Sequence, residues 1–268
     1  MSATETILRV EHLNKTFSGR GQQVRAVQDV SLAVRRGESV GIVGESGCGK
    51  STLARLIMGL EVADAGTIEI EGALVSASRR RLRAEARRVQ MIFQDPHTSL
   101  NPRMTIGAAI TEAPLVAKLI ARSEREASAR AALESVGLHP ELAGSRPHAL
   151  SGGQRQRVAI ARALSLQPRL VLADEAVSAL DVSMQAQILN LLRRLRAEHD
   201  LTILFISHQL GAVAQLCDRV LVMYRGSIVE QGPVRDVFET PTHAYTRELL
   251  RAQPGGGPQT LVEAPPAP

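Results

Sequence analysis

The residues best suited to chemistry stand in a few short stretches. Gly44, Glu45, Ser46, Gly47, Cys48, Gly49, Lys50, Ser51 and Thr52 spell the pattern G-x-x-x-x-G-K-[ST]. Glycines there let backbone N–H groups turn toward a phosphate, the lysine reaches its outer oxygens, and the Ser51 hydroxyl can ligate Mg2+. Leu170-Val-Leu-Ala-Asp-Glu175 is an apolar run that ends in two carboxylates. Asp174 can hold Mg2+ through water, and Glu175 can orient and deprotonate an attacking water. In Leu150-Ser-Gly-Gly-Gln154 a serine is followed three residues later by a glutamine, a capping box that opens a helix at a second anion-attracting terminus. Ser151 and Gln154 alone read as an ordinary cap; Gly152 and Gly153, which strip the helix start of side chains, argue for close approach by a ligand. His208 follows the apolar run Leu201–Ile206; a lone histidine there is more often a capping or packing residue, but this one is expected on the same edge as Lys50 and Glu175.

Each of these stretches needs an element to hold it. Ser39–Val43 reads as a short buried strand entering the phosphate loop and Thr52–Met58 as the helix leaving it, the setting that this motif requires. Ile7–Leu13 and Val24–Val34 read as a hairpin joined through the turn-rich Ser18–Gln22. Phe17 falls in that connection, where its ring either stacks on an adenine or packs under the hairpin. Gly66–Ile70 and Val89–Phe93 are further strands, and the second ends at Gln94. Between them Arg79–Arg88 carries six arginines and reads as a solvated helix face. Asp95–Pro102 is a loop by composition. Ile106–Leu164 reads almost entirely as helix, broken near Gly137–Pro140 and Gly144–His148, and forms an inserted α-helical subdomain over about residues 96–164. Val182–Ala197 is amphipathic, with Ile188, Leu192 and Leu195 on one face. The fold class is therefore α/β, a phosphate-loop ATPase core with an antiparallel β layer and that helical insert, over residues 1–252. Gln253–Pro268 is a Pro/Gly-rich tail expected to be disordered.

Composition narrows the rest. Hydrophobic residues make up 44% and charged residues 22% of 268, and no apolar run approaches the length of a membrane span, so the chain reads as globular and cytosolic or peripheral. Met1–Val10 lacks a signal-peptide pattern. Two cysteines, Cys48 and Cys217, form no metal spacing and suggest a reducing compartment; Cys48, inside the phosphate loop, is a candidate for oxidation. A net charge of +5 permits an anionic partner, but 2% aromatic residues leave little for base stacking, so nucleic acid is not expected.

The ordered set of phosphate loop, Gln94, Leu-Ser-Gly-Gly-Gln, Asp174-Glu175, Ser178-Ala-Leu-Asp181 and His208 resembles the nucleotide-binding subunit of an ATP-binding cassette (ABC) transporter over roughly residues 6–250. The resemblance implies ATP and Mg2+ as cofactors. It implies that Phe17 stacks on the adenine, that Gln94 senses Mg2+ and the membrane partner, and that His208 switches at the γ-phosphate. Ser151, Gly152, Gly153 and Gln154 would close on the ATP of a second, identical or paralogous ATPase subunit, with Asp181 at the dimer interface. Catalytic roles thus fall to Glu175, His208 and Gln94, and metal ligation to Ser51, Gln94 and Asp174. The family further implies two transmembrane permease subunits, indirect work with an extracytoplasmic solute-binding protein, and a place at the cytoplasmic face of the inner membrane, as the ATPase of a translocase.

Two segments, Phe93–Ile106 and Pro241–Leu250, resemble the subfamily that imports peptides and nickel. Ala176, where peptide-type members commonly carry Pro, and the short cysteine-free tail lean toward nickel; di- or oligopeptide import is the alternative. A non-transport ABC ATPase acting on nucleic acid is less consistent with the compact stretch between Lys50 and Ser151.

Overall fold

The computed structural model describes residues 5–19, 22–75, 87–94 and 99–252. Most of the arginine run, Asp95–Thr98 of the following loop and the tail after Ala252 lie outside the described residues. Two sheets organise the chain. Strands β1 (Thr6–Gly19), β2 (Gln22–Arg35), β4 (Ala65–Ile70) and β5 (Ala73–Leu74) form an antiparallel sheet in the order β2-β1-β4-β5. Strands β3 (Ser39–Val43), β6 (Val89–Ile92), β7 (Leu170–Asp174), β8 (Thr202–Ile206), β9 (Arg219–Tyr224) and β10 (Ser227–Pro233) form the second, in the order β10-β9-β3-β8-β7-β6. All neighbours in it are parallel except the edge strand β10. β3 and β8 are buried along their whole length, which is why they read as unbroken apolar runs.

Alternate residues of the parallel strands feed different apolar clusters. Val40, Ile42, Leu172, Leu204 and Ile206 meet Leu53, Leu56 and Ile57 of helix α1 (Lys50–Ile57) and the inner face of the antiparallel sheet. Val171, Ala173, Ile203 and Phe205 face the other way. There they meet α2 (Ile106–Val116), α3 (Arg125–Ser135), α4 (Gly152–Leu164), α5 (Val182–His199), α6 (Leu210–Leu216) and α7 (Val234–Glu239). Helix α8 (Ala244–Arg251) closes the described chain. The helical insert α2–α4 shares this second cluster with the sheet, so its core is continuous with the rest. Among the described residues, no helix is long and apolar enough to cross a membrane.

Three local readings change. β1 and β2 run past Leu13 and begin before Val24, because their outer halves are exposed and carry no apolar alternation to mark a strand. Phe17 therefore stands on β1 opposite Val24, not in a connection. Between α2 and α3 the helix breaks, although Ala117–Ala121 holds neither Gly nor Pro. Pro114 lies in the last turn of α2, Lys118 adopts φ 56°, and the Leu119 N–H turns back to the Pro114 carbonyl at 2.9 Å.

Candidate functional site

The carboxyl ends of β3, β6, β7 and β8 share one edge of the parallel sheet. Ile42 lies opposite Ile206, Ile206 opposite Asp174, and Ala173 opposite Ile92. Each strand is followed directly by a candidate: the Gly44–Thr52 loop, Gln94, Glu175 and His208. Two backbone bonds tie these ends together beyond the strands, Ser207 N–H to the Ile42 carbonyl at 3.1 Å and Glu175 N–H to the Ile206 carbonyl at 2.8 Å. Ligands of open α/β sheets bind at such an edge.

The loop is shaped by its neighbours. Gly49 caps α1 at φ 113°, where a Cβ would lie 2.1 Å from the Ala26 carbonyl oxygen on β2, so only glycine fits. No side chain caps α1, and its first-turn N–H groups have no partner within the helix. Lys50 is 5% exposed, and its ammonium donates to the carbonyls of Gly44 at 2.8 Å and Glu45 at 2.7 Å. It also lies 3.7 Å from Cys48 Sγ. All three acceptors are uncharged, and among the described residues no carboxylate forms a salt bridge with it. Beside it Glu45, Ser46, Gly47 and Ser51 are exposed. A phosphate is the complement of this arrangement. Cys48 is buried, and burial pushes its thiol up against the opposing pull of Lys50. A buried, protonated thiol is inert, contrary to the oxidation sensitivity read from its position.

The Ser51 hydroxyl approaches Asp174 Oδ1 at 3.4 Å. Burial raises the Asp174 carboxyl above its ordinary range, the charge on Glu175 adds to that, and the Ser51 hydrogen bond opposes it. One hydroxyl and one carboxylate beside a phosphate cradle are the hard-oxygen donors that Mg2+ takes together with water and phosphate, so this pair fits the ion. Thr52 follows, half-buried on α1.

Glu175 leaves β7 at φ 49°, a left-handed turn that is uncommon for a residue with a Cβ. Ser178 holds this turn, donating its N–H at 3.1 Å and its hydroxyl at 3.0 Å to the Glu175 carbonyl. Glu175 Oε1 lies 3.3 Å from His208 Nδ1, with 20% and 50% of the two side chains exposed. The segment after His208 is fixed as well: Gln209 N–H donates to the Ser207 hydroxyl, and Gln185 donates to the Gln209 side-chain oxygen. A partly buried carboxylate thus stands with an imidazole at its side.

Gln94 is exposed at the end of β6, next to the exposed ring of Phe93. Phe17 is 38% exposed, with the Lys15 ammonium 5.2 Å from its ring centroid. The ring is partly exposed with that ammonium over it, on the strand pair whose Ala26 backs the loop.

Ser151 caps α4 reciprocally: its hydroxyl accepts the Gln154 N–H at 3.3 Å, and Gln154 Oε1 accepts the Ser151 N–H at 2.9 Å. The two glycines between them differ. A Cβ at Gly153 would meet Met184 Cε at 1.5 Å, whereas nothing stands within 4 Å of one at Gly152. Gly153 is thus packed against the tip of Met184, which a larger residue would have to displace, while Gly152 opens outward. Asp181, at the start of α5, accepts the Met184 N–H at 2.9 Å and so has a capping duty of its own. Among the described residues, no hydrogen bond joins Ser151–Gln154 to the phosphate loop or to Glu175. Sequence reasoning also missed Tyr245, whose hydroxyl accepts the Glu45 N–H at 3.0 Å. No local pattern signals a partner 200 residues away.

With this geometry in view, comparisons with known proteins converge. A family model described as ABC transporter matches residues 27–178. A probable peptide ABC transporter ATP-binding protein of Sinorhizobium fredii is 49% identical, over 98% of this chain and 77% of that protein. An oligopeptide transport ATP-binding protein of Bacillus subtilis is 47% identical over 94% of this chain and 83% of its own length. A glutathione import ATP-binding protein of Pectobacterium atrosepticum is 48% identical over 95% of this chain but only 42% of its own. Among solved structures, the dimeric post-hydrolysis state of the ATP-binding cassette MJ0796 bound to ADP and Pi superposes with a TM-score of 0.77 at 29% identity, covering 85% of this chain and 99% of that one. The cbiO1 subunit of the Clostridium perfringens transporter complex cbiONQ gives 0.78 at 29% identity, covering 88% and 92%.

Proposed function

The chain belongs to the ABC transporter family, as an ATP-binding subunit that couples ATP hydrolysis to transport, and on that premise we propose that it powers the import of di- or oligopeptides. The observation that carries this reading is that relatives at 47–49% identity over nearly the whole chain are named for peptides. They favour the peptide alternative over the nickel reading drawn from Ala176 and the tail. Ala176 is 1% exposed and packs in the core beside Val177, so its side chain contributes to packing. The tail lies outside the described residues.

In this proposal the loop's backbone N–H groups and Lys50 hold the β- and γ-phosphates, and the ring of Phe17 carries the adenine. Mg2+, held by Ser51 and Asp174 with Gln94 at its edge, would supply neutralisation of phosphate charge as the terminal bond breaks. Glu175 Oε accepts a proton from the water that attacks the γ-phosphorus, ADP departs as leaving group, and inorganic phosphate is the second product. His208, held at Glu175 and half-exposed, meets the γ-phosphate side of the nucleotide. Ser151 and Gly152 offer their open helix terminus to the ATP of a second ATPase subunit, consistent with the dimeric state of the MJ0796 cassette.

The permease pair would dock on the surface that follows Gln94 up to Ile106, where Phe93, Gln94 and Asn101–Arg103 are exposed. That surface would face the inner membrane from the cytoplasm, with the solute-binding protein acting only through the permeases. The deciding experiment is uptake of a labelled dipeptide and of radiolabelled nickel by cells with and without the gene. Deletion should abolish peptide uptake and spare nickel; the reverse outcome refutes peptide import.

A further inference from the structure

The segment Pro241–Leu250, singled out by its sequence, has no place in the scheme above, yet it ends at the phosphate loop. Glu230 on β10 anchors its start, accepting the Thr242 N–H at 2.7 Å, the Thr242 hydroxyl at 2.8 Å and the His243 N–H at 3.1 Å. His243 Nδ1 then accepts the Tyr245 N–H at 3.1 Å and caps α8. The buried ring of Tyr245 rests on Tyr224, the last residue of β9, with centroids 4.2 Å apart; these are the chain's two tyrosines. So fixed, the Tyr245 hydroxyl reaches the Glu45 N–H at 3.0 Å. Burial raises this phenol above its ordinary range and keeps it protonated.

That N–H belongs to the peptide unit whose carbonyl is Gly44 C=O, and Gly44 C=O is the group that accepts Lys50 Nζ at 2.8 Å. A peptide unit is planar, so its N–H and C=O directions are set together. Tyr245 and Lys50 therefore hold opposite sides of one rigid plate. We infer that Tyr245 is a positioning residue of the phosphate loop, fixing the Gly44–Glu45 peptide and through it the Lys50 ammonium for ATP. The inference rests on the reading of Gly44–Thr52 as the phosphate site. Because hydrogen bonds along such a chain polarise one another, loss of the hydroxyl loosens the lysine as well as the loop entrance.

The test compares Tyr245→Phe, Tyr224→Phe and Lys50→Ala in the full chain, by binding of a fluorescent ATP analogue and by ATPase kinetics of the assembled transporter. Tyr245→Phe keeps the ring contact and removes one hydrogen bond, so KM for ATP should rise roughly 2- to 10-fold with kcat held within about twofold. Tyr224→Phe, which breaks no recorded bond to the loop, should leave KM unchanged. An unchanged KM in Tyr245→Phe overturns the positioning role, as does an equal rise in both tyrosine variants. Lys50→Ala separates this from the parent reading: nucleotide affinity lost there but kept in Tyr245→Phe refutes Tyr245 alone, whereas affinity kept in both removes the loop assignment itself.

Discussion

Replacing Gly49 by alanine tests the physical account of the phosphate loop, and Gly47→Ala supplies its control. Both glycines have positive φ, 113° and 81°, but their surroundings differ. A methyl at Gly47 meets nothing within 4 Å, so the substitution bears only the backbone penalty, about 1–2 kcal/mol. At Gly49 the same methyl would stand 2.1 Å from the Ala26 carbonyl oxygen and 2.7 Å from Met223 Cε. The methionine tip can swing away, but the carbonyl belongs to a strand paired along most of its length with β1. Forcing that overlap apart adds about 1–3 kcal/mol, for a total of about 2–5 kcal/mol. At about 2–4 °C per kcal/mol in a chain of this size, Gly47→Ala should lower the melting temperature by roughly 2–8 °C and Gly49→Ala by roughly 4–20 °C. The assay is thermal unfolding of the nucleotide-free full chain, followed by binding of a fluorescent ATP analogue. Equal stability of the two variants would refute the claim that close approach by β2, rather than φ alone, demands glycine at position 49.

Three further outcomes bear on the site. Glu175→Gln should retain ATP binding and reduce turnover about 10²- to 10⁴-fold, since the amide still holds water but is a poor base; near-normal hydrolysis in the assembled transporter removes Glu175 from that role. Ser151→Arg should abolish turnover while this chain's own nucleotide affinity persists, because among the described residues Ser151 shares no hydrogen bond with the loop; joint loss of binding and turnover would place the action of Ser151–Gln154 in cis. The raised Asp174 carboxyl keeps its proton to higher pH in the folded than in the unfolded chain, so its contribution to stability falls as pH rises from the ordinary carboxylate range through the raised value. Asp174→Asn should therefore stabilise the nucleotide-free protein at neutral pH, lose that advantage in acid, and weaken Mg2+-dependent ATP binding; denaturant titrations across pH would detect a variant no more stable than its parent.

What the sequence determined by itself was the chemistry held in short runs of residues. Gly44–Thr52, the carboxylates after Leu170–Ala173 and the capping box at Ser151 are legible because their spacing along the chain is what the local backbone converts into a loop, a strand end and a helix start. The parallel sheet was equally legible, since strands buried on both faces are written as continuous apolar runs. Folding decided what those runs face. Glu175 meets His208 and Ser51 meets Asp174 only because parallel register aligns the ends of β3, β7 and β8, and no spacing within one segment encodes that alignment. Gly153 looks, by composition, like a ligand's clearance, but Met184 fills the space beside it. The outer halves of β1 and β2 are solvated, so they lack the alternation that would announce them and place Phe17 on a strand. Tyr245 reaches Glu45 across 200 residues through a hydrogen bond whose two partners carry no local signature, because which distant groups meet is set by packing of the whole core and not by any stretch of chain.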